Sequence, residues 1–179
     1  MKPIQALLYS TISTFLLIIT LYMVHIIKNK QLAAAKQRLG RVAAQTRGLS
    51  LAGTHYGQNM GFVNVSYKRS TAIDAMQQRV LDELNPLRVG MPPEQTEQMK
   101  TFTGQKHTNL ERYGFATVGE TYNPHITLAR TLSGEPIDTE AMLPEPTSFS
   151  GMFSALGIFE LGDNGTCIQQ VEQFALQKE

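Results

Sequence analysis

The stretch Asn123-Pro124-His125-Ile126-Thr127-Leu128-Ala129-Arg130 decides how this chain is interpreted. It reads as a β-strand, in which residues two positions apart share one face. His125 and Thr127 therefore point into the same space, whereas Arg130 falls on the opposite face and is expected to be structural or exposed. A histidine transfers protons near neutral pH, and a hydroxyl can donate a hydrogen bond to a phosphate oxygen. The pair favours phosphate ester chemistry, although a half-buried strand with alternating polar residues gives the same tripeptide.

The composition of the 179-residue chain limits its function. Sixteen basic and 15 acidic residues give a formal net charge of +1, so any polyanion must be bound locally rather than drawn in by a global field. The length predicts one domain with a substantial core. The single cysteine, Cys167, excludes an internal disulfide framework and fits a reducing compartment. No Cys/His cluster has metal-ligand spacing, so we predict no metal site and no cofactor.

The apolar N-terminal segment, residues 1–28, has two interpretations. Between Pro3 and Ile27 there is no Asp, Glu, Lys or Arg, and this length can span a bilayer. Lysines and arginines follow, so an anchor through residues 4–27 would leave the domain facing the cytoplasm. Frequent Ser and Thr residues instead favour a β-strand in a cytoplasmic protein. We prefer the strand and keep the membrane anchor as the alternative.

The remainder of the chain alternates between helices and strands. Apolar residues at helical spacing predict a helix from about Leu32 to Gly48 and another from Thr71 to Arg88, which begins at a capping box formed by Thr71 and Asp74. Strict alternation predicts a half-buried strand over Met60 to Tyr67.

The C-terminal half contains a long connection and a hairpin. Residues 90–120 are predicted to be irregular, with a short helix around Glu94 to Phe102. Two strand-like runs, Phe153 to Leu161 and Thr166 to Leu176, flank Gly162-Asp163-Asn164-Gly165, which is a strong hairpin signal. The whole pattern predicts an α+β domain.

This order of elements, with Pro124-His125-Ile126-Thr127-Leu128, resembles the two-histidine phosphoesterase superfamily, which includes 2′-5′ RNA ligase-like and cyclic phosphodiesterase proteins. The resemblance runs from about Ile18 to Leu176. It implies a bilobal α+β domain over residues 18–179, with antiparallel sheets flanked by helices and two H-x-T strands facing each other. His125 and Thr127 would form the second motif, and no metal would be required.

The first motif of that family corresponds to Ile18-Ile19-Thr20-Leu21-Tyr22-Met23. Thr20 matches the hydroxyl that would bind substrate, but Ile18 stands where the resemblance implies the first histidine. Isoleucine cannot transfer a proton, and losing a general acid or base typically costs about 10²- to 10⁴-fold in rate. The sequence therefore predicts either an impaired enzyme or a replacement for the missing group.

Three other histidines and one tyrosine are further candidates. His25 is a poor replacement for the first histidine because it lies seven residues from Ile18, whereas His55 and His107 fall in predicted loops that could approach the site. Tyr113 precedes the motif strand and could stack on an unpaired base, although a core position is the simpler interpretation.

Three functional hypotheses follow. The first is a phosphodiesterase acting by histidine acid/base chemistry on 2′,3′-cyclic or 2′-5′ phosphodiesters of RNA or nucleotides. The second is a non-catalytic protein of the same fold that binds RNA ends or cyclic nucleotides. The third is a membrane-anchored protein with a cytoplasmic domain.

Overall fold

The computed structural model describes residues 15–17, 29–91, 93–131, 134–161 and 167–178. They form an α+β fold of helices and two separate sheets, which confirms the predicted class of antiparallel sheets flanked by helices. The strands are β1 Phe15–Leu17, β2 Leu49–Leu51, β3 Gly53–Asn59, β4 Phe62–Tyr67, β5 His125–Arg130, β6 Gly151–Leu161 and β7 Cys167–Ala175. The helices are α1 Asn29–Ala44, α2 Thr71–Leu84, α3 Pro93–Met99, α4 Gly104–Tyr113 and α5 Thr139–Met142.

The first sheet is built around β6. This strand pairs in parallel with β1 and antiparallel with β2 and β7, so one parallel pair joins an otherwise antiparallel sheet. The β6–β7 pairing confirms the predicted C-terminal hairpin, whose connecting residues 162–166 lie outside the described part of the chain.

The second sheet has the order β3-β4-β5 and is antiparallel throughout. Its β3 strand corrects the sequence interpretation, which placed His55 in a loop. Gly53 and Gly57 suggested a loop, but β3 pairs with β4 along its length and turns the partly buried Tyr56 toward the main core. Tertiary pairing has thus overridden the poor strand propensity of glycine.

The main core lies between the helices and both sheets. Helix α1 contributes Leu39, and α2 contributes Ile73 and Met76, whereas Phe153 enters from β6 and Val65 from β4; all five are at most 2 % exposed. Burying such side chains provides about 1.5–3 kcal/mol each relative to leaving them exposed. The core therefore fixes which side of the second sheet remains exposed.

Helix α2 begins at Thr71 as predicted, but its capping residue and its C-terminal end differ from the sequence prediction. Ser70, rather than Thr71, is the N-cap, and its hydroxyl accepts a hydrogen bond from the Ile73 amide at 3.3 Å. The α-helix stops at Leu84 and continues as a 3₁₀ turn, Asn85–Leu87. Pro86 lacks an amide hydrogen and cannot extend an α-helical ladder, which explains this early end.

The connection over residues 90–120 is more ordered than predicted. Helix α3 confirms the expected short helix, but α4 was missed, and it places His107 on a helix rather than in the predicted loop. Gly114 ends α4 with a φ of 70°, a left-handed conformation that glycine adopts without strain.

The apolar N-terminal segment is described only at β1. Ile18, Thr20 and His25 lie outside the described residues, as does the rest of the predicted first motif. Among the described helices, none has the length and apolar character needed to cross a membrane.

Candidate functional site

The exposed side of the second sheet carries the candidate site. We call it the polar face and define it by two cross-strand rows on β3, β4 and β5. The first row is His55–Ser66–His125 and the second is Gly57–Asn64–Thr127. Cross-strand partners share one face of a sheet, and the alternate residues Tyr56, Val65 and Ile126 turn to the core. None of the six residues is acidic, so a bound phosphate would meet no carboxylate among them.

His125 begins β5 and is exposed. Its Nδ1 lies 2.8 Å from the backbone oxygen of Asn123. A carbonyl oxygen can only accept, so this hydrogen bond requires the proton on Nδ1 and leaves the lone pair of the neutral ring on Nε2. Nε2 can then take a proton as a base, or return one after the ring has become charged.

Thr127 lies one row further along the same face. Its hydroxyl donates to Oδ1 of Asn64 at 2.7 Å, across the β4–β5 pair. A half-turn of the Asn64 amide would present Nδ2–H to the Thr127 oxygen and release the hydroxyl proton for another acceptor, such as a phosphate oxygen. Asn64 therefore controls what Thr127 can donate to.

His55 lies on the other edge of the sheet, two strands away from His125. Its Nδ1 is 2.9 Å from Oγ1 of Thr54, and that hydroxyl is 3.0 Å from the backbone oxygen of Ser66. The Thr54 hydroxyl has a single proton, which it donates to the Ser66 carbonyl, so it accepts from Nδ1–H of His55. His55 thus also carries its neutral lone pair on Nε2.

Ser66 occupies the centre of the first row. It pairs with His55 on one side and His125 on the other, and it is only 3 % exposed although both histidines are exposed. The serine side chain is short and projects less far from the sheet than the histidine side chains on either side. The two exposed histidines therefore lie on either side of a small, buried serine.

Arg69 holds the segment that leads into β5. Its guanidinium donates to the backbone oxygens of Gly119 and Glu120, each at 2.7 Å, and pairs with Asp74 at 2.7 Å. A third carbonyl, that of Tyr122, is 3.3 Å away. These hydrogen bonds position the backbone only a few residues before His125.

Tyr122 in this segment is held in its neutral form. The pKa of Tyr122 is raised to about 12, mainly by burial and also by the Asp74 carboxylate, while Arg69 opposes this shift. The phenol remains protonated at neutral pH and is not a candidate base.

The other predicted site residues do not join the polar face. Tyr113 is 8 % exposed and packs in a small cluster with Leu81 and Val118, so little ring surface remains for stacking on a base. His107 is on α4, with its Nδ1 3.7 Å from Oε2 of Glu111. Thr20 lies outside the described residues. Arg130 is exposed and stacks over Phe62 at 5.0 Å. Strand parity predicted the face opposite His125, but a register irregularity between Val63 and Asn64 pairs Arg130 with Phe62, on the same side of the sheet as Asn64 and Ser66.

No group of three or more His, Cys, Asp or Glu side chains that could hold a metal ion occurs within the described residues. The polar face itself offers imidazole, hydroxyl and amide groups. These suit hydrogen bonding to an anion and proton transfer.

A family model described as "Protein of unknown function (DUF1045)" matches residues 24–151, which is more than half of the chain. The chain belongs to the DUF1045 family. The DUF1045 match contains all six residues of the polar face, whereas Ile18 and Thr20 lie before it. No curated protein and no solved structure matches the chain.

Sequence reasoning missed Asn64, Ser66 and the strand position of His55. A signal existed for Asn64 and Ser66, since both occupy the polar side of the predicted Met60–Tyr67 strand. Nothing in the sequence gave the register that aligns them with His125 and Thr127. The pairing of His55 with Ser66 additionally required recognising β3.

Proposed function

We propose that this DUF1045 protein is a two-histidine phosphoesterase-like enzyme that hydrolyses 2′,3′-cyclic or 2′-5′ phosphodiesters of RNA or nucleotides. The observation that supports the proposal most is the H-x-T strand β5, which exposes His125 and Thr127 together on one side of the sheet. RNA ends or cyclic nucleotides would be the substrates.

The chemistry divides between the two side chains. His125 transfers a proton through Nε2, either from the attacking water or to the leaving ribose oxygen. Thr127 donates to a nonbridging phosphate oxygen once the Asn64 amide has turned. Hydrogen bonds to a charged acceptor are worth about 1.5–3 kcal/mol each, so Thr127 contributes to binding and orientation more than to proton transfer.

Hydrolysis of a panel of 2′,3′-cyclic nucleotides and 2′-5′-linked oligonucleotides by the full chain tests the proposal. We expect turnover by the native protein and a loss of about 10²- to 10⁴-fold in His125→Ala. His107→Ala is the matched control, since it removes a partly exposed imidazole on α4, and should retain the native rate. Absence of turnover by the native protein, or an unchanged rate in His125→Ala, would contradict the proposal.

The second candidate is a binding protein of the same fold without turnover. Ile18, which stands where the family resemblance implies a first histidine, favours it. This candidate predicts nucleotide binding that weakens in His125→Ala, no hydrolysis by the native chain, and a gain of hydrolysis in Ile18→His. Turnover by the native chain would exclude it.

We also propose a cytoplasmic location for the domain, based on the single cysteine and on the basic residues that follow the apolar segment. A membrane-anchored form would resist carbonate extraction and lose this resistance when residues 1–28 are deleted. A cytoplasmic protein without an anchor would be extracted with or without those residues.

A further inference from the structure

The polar face contains a second imidazole with the same local arrangement as His125. In both residues, Nδ1 is held by an oxygen acceptor close in sequence: the Asn123 carbonyl at 2.8 Å for His125, and the Thr54 hydroxyl at 2.9 Å for His55. Each ring therefore directs its proton-accepting nitrogen, Nε2, away from its anchor.

The spacing of the two histidines suits one phosphate group between them. Both pair with Ser66 from opposite edges of β4, so their Cα atoms are separated by two inter-strand spacings, or about 10 Å. In inverting glycosidases, about 6.5–9.5 Å between acid and base accommodates the scissile bond and the attacking water. Because Nε2 lies at the far end of the imidazole ring, two rings that lean toward each other across a Cα separation of about 10 Å reach that range.

The residues between and beside the two histidines are small. Ser66 has a short side chain, and Gly57 in the next row has none; a Cβ at Gly57 would find only the Ser66 hydroxyl, at 4.0 Å. The groups that face His55 from the adjoining strands are Ser66 on β4 and, beyond it, His125 on β5. Of these two, only His125 carries a titratable side chain.

We propose that His55 and His125 are complementary proton-transfer groups acting on a single phosphodiester held between β3 and β5, with His55 replacing the missing first histidine. This inference rests on the proposed function and deepens it, because it assigns the second catalytic residue of the same site.

The reaction balances with these two rings and one water. The water oxygen bonds to phosphorus while the bond from phosphorus to one ribose oxygen breaks. One imidazole, initially neutral, takes the water proton on Nε2, and the other, initially charged, gives its Nε2 proton to the leaving ribose oxygen. The products are a phosphomonoester and a free hydroxyl, and proton exchange with solvent restores both rings.

The test compares His55→Ala, His55→Asn, His125→Ala and His107→Ala with the native full chain, using the best substrate of the panel above. We expect His55→Ala to lower kcat by about 10²- to 10⁴-fold while KM changes by only a few-fold. His55→Asn retains a donor for the Thr54 hydroxyl but cannot transfer a proton, so it should lose as much. His107→Ala should behave as the native protein.

The pH profile separates proton transfer from a structural effect. The native kcat/KM should be bell-shaped with pH, and His55→Ala and His125→Ala should each lose one limb, on opposite sides of the optimum. Added imidazole should restore part of the His55→Ala rate. Circular dichroism melting of each variant shows whether it is folded.

Different results would overturn the role of His55 and the proposed phosphodiesterase function. Turnover by the native chain together with a native kcat and bell-shaped profile in His55→Asn would overturn the role of His55 and leave the proposed function standing. Loss of kcat in His55→Ala with both limbs intact would overturn it as well. Absence of turnover by the native chain would overturn the proposed function itself.

Discussion

At the scale of single residues, the direction of a few hydrogen bonds decides what the polar face can do. Asn123 and Thr54 each accept from an imidazole Nδ1, so both rings offer Nε2. Asn64 accepts from Thr127, so the threonine hydroxyl proton is already bonded until the amide turns. The orientation of the histidine and threonine side chains thus depends on the residues that hydrogen-bond to them as much as on the H-x-T residues themselves.

Asn64→Ala tests this dependence. The variant loses the side chain that orients the Thr127 hydroxyl, and a hydrogen bond of this kind is worth about 0.5–1.5 kcal/mol. We expect KM for a cyclic nucleotide to rise about 2- to 10-fold with a smaller change in kcat. Asn59→Ala, which removes the same amide opposite Phe62 at the strand end, is the matched control. An equal effect of both substitutions would refute the role of Asn64.

Tyr67 makes stability depend on pH in the alkaline range. Burial raises its pKa to about 12, above about 10 in the unfolded chain, so the folded state favours the neutral phenol. This contribution is fully present below pH 10 and is lost as the pH rises toward 12. In that window the free energy of unfolding should fall by about 1.4 kcal/mol per pH unit from this residue.

Urea titrations of the native chain and Tyr67→Phe between pH 8 and 12 provide the measurement. Tyr67→Phe also loses the hydrogen bond to the Phe149 carbonyl at 3.1 Å, which lowers stability at every pH by about 1 kcal/mol. The informative quantity is therefore the slope with pH, which should be shallower in the variant. Identical slopes would show that Tyr67 does not titrate with unfolding.

At the scale of elements, the Arg69 guanidinium is the charged group that holds the segment between α4 and β5, beside hydrogen bonds from Asn109 and to Gln77. Arg69→Met should lower the free energy of unfolding by about 1–3 kcal/mol, because three backbone oxygens lose a charged donor. It should also lower turnover, since this segment positions the start of β5 and His125.

Arg79→Met is the matched control for Arg69→Met. Arg79 on α2 holds the backbone oxygen and side chain of Gln45 at 3.3 and 2.8 Å, near the end of α1 and away from β5. We expect comparable destabilisation with an unchanged kcat, measured at a temperature where both variants are folded. Equal losses of kcat in the two variants would show that Arg69 acts only on stability.

The predictability of each element followed the clarity of its apolar pattern. Helix α2 and the C-terminal hairpin carry strong periodic signals, and both were predicted within a few residues. Helix α4 was missed because Gln105, Lys106, His107 and Thr108 begin it without an apolar stripe. It is fixed instead by tertiary bonds, such as those from buried Asn109 to the Ala116 and Val118 carbonyls.

At the scale of the whole molecule, Gly53 lies where the chain passes from the first sheet to the second. A Cβ at this position would lie 2.1 Å from the backbone oxygen of Pro146, and the Gly53 amide donates to the Ser150 hydroxyl at 2.9 Å. The start of β3 is thereby packed closely against the segment that leads into β6. No other residue fits this space without moving backbone.

Gly53→Ala should therefore lower the free energy of unfolding by about 1–3 kcal/mol, the usual cost of overpacking. Gly57→Ala on the same strand meets only the Ser66 hydroxyl at 4.0 Å. It should change stability by less than about 1 kcal/mol, in the stabilising direction, because alanine restricts the unfolded chain. Chemical denaturation of both variants checks the contrast, and similar losses would contradict the close approach at Gly53.

The candidate site illustrates what sequence can and cannot supply at this scale. The shared face of His125 and Thr127 followed directly from the alternation of β5, whereas the register irregularity that brings Arg130 to the same side, opposite Phe62, left no signal in the sequence. The contributions of His55, Asn64 and Ser66 come from strands some 60–70 residues earlier, and only the register of the sheet brings them together. Register is set by core packing on the opposite face, which short patterns do not encode.

The most direct measurement is the response of the imidazole nitrogens to a phosphate ligand, observed by long-range ¹H–¹⁵N NMR of the full chain during titration with 2′- and 3′-nucleoside monophosphates. The account predicts neutral Nδ1–H tautomers for His55 and His125 at alkaline pH, and ligand-dependent shifts of both Nε2 signals with one common affinity, while His107 stays unchanged. Shifts confined to His107, or none at His125, would contradict a phosphate site on the polar face.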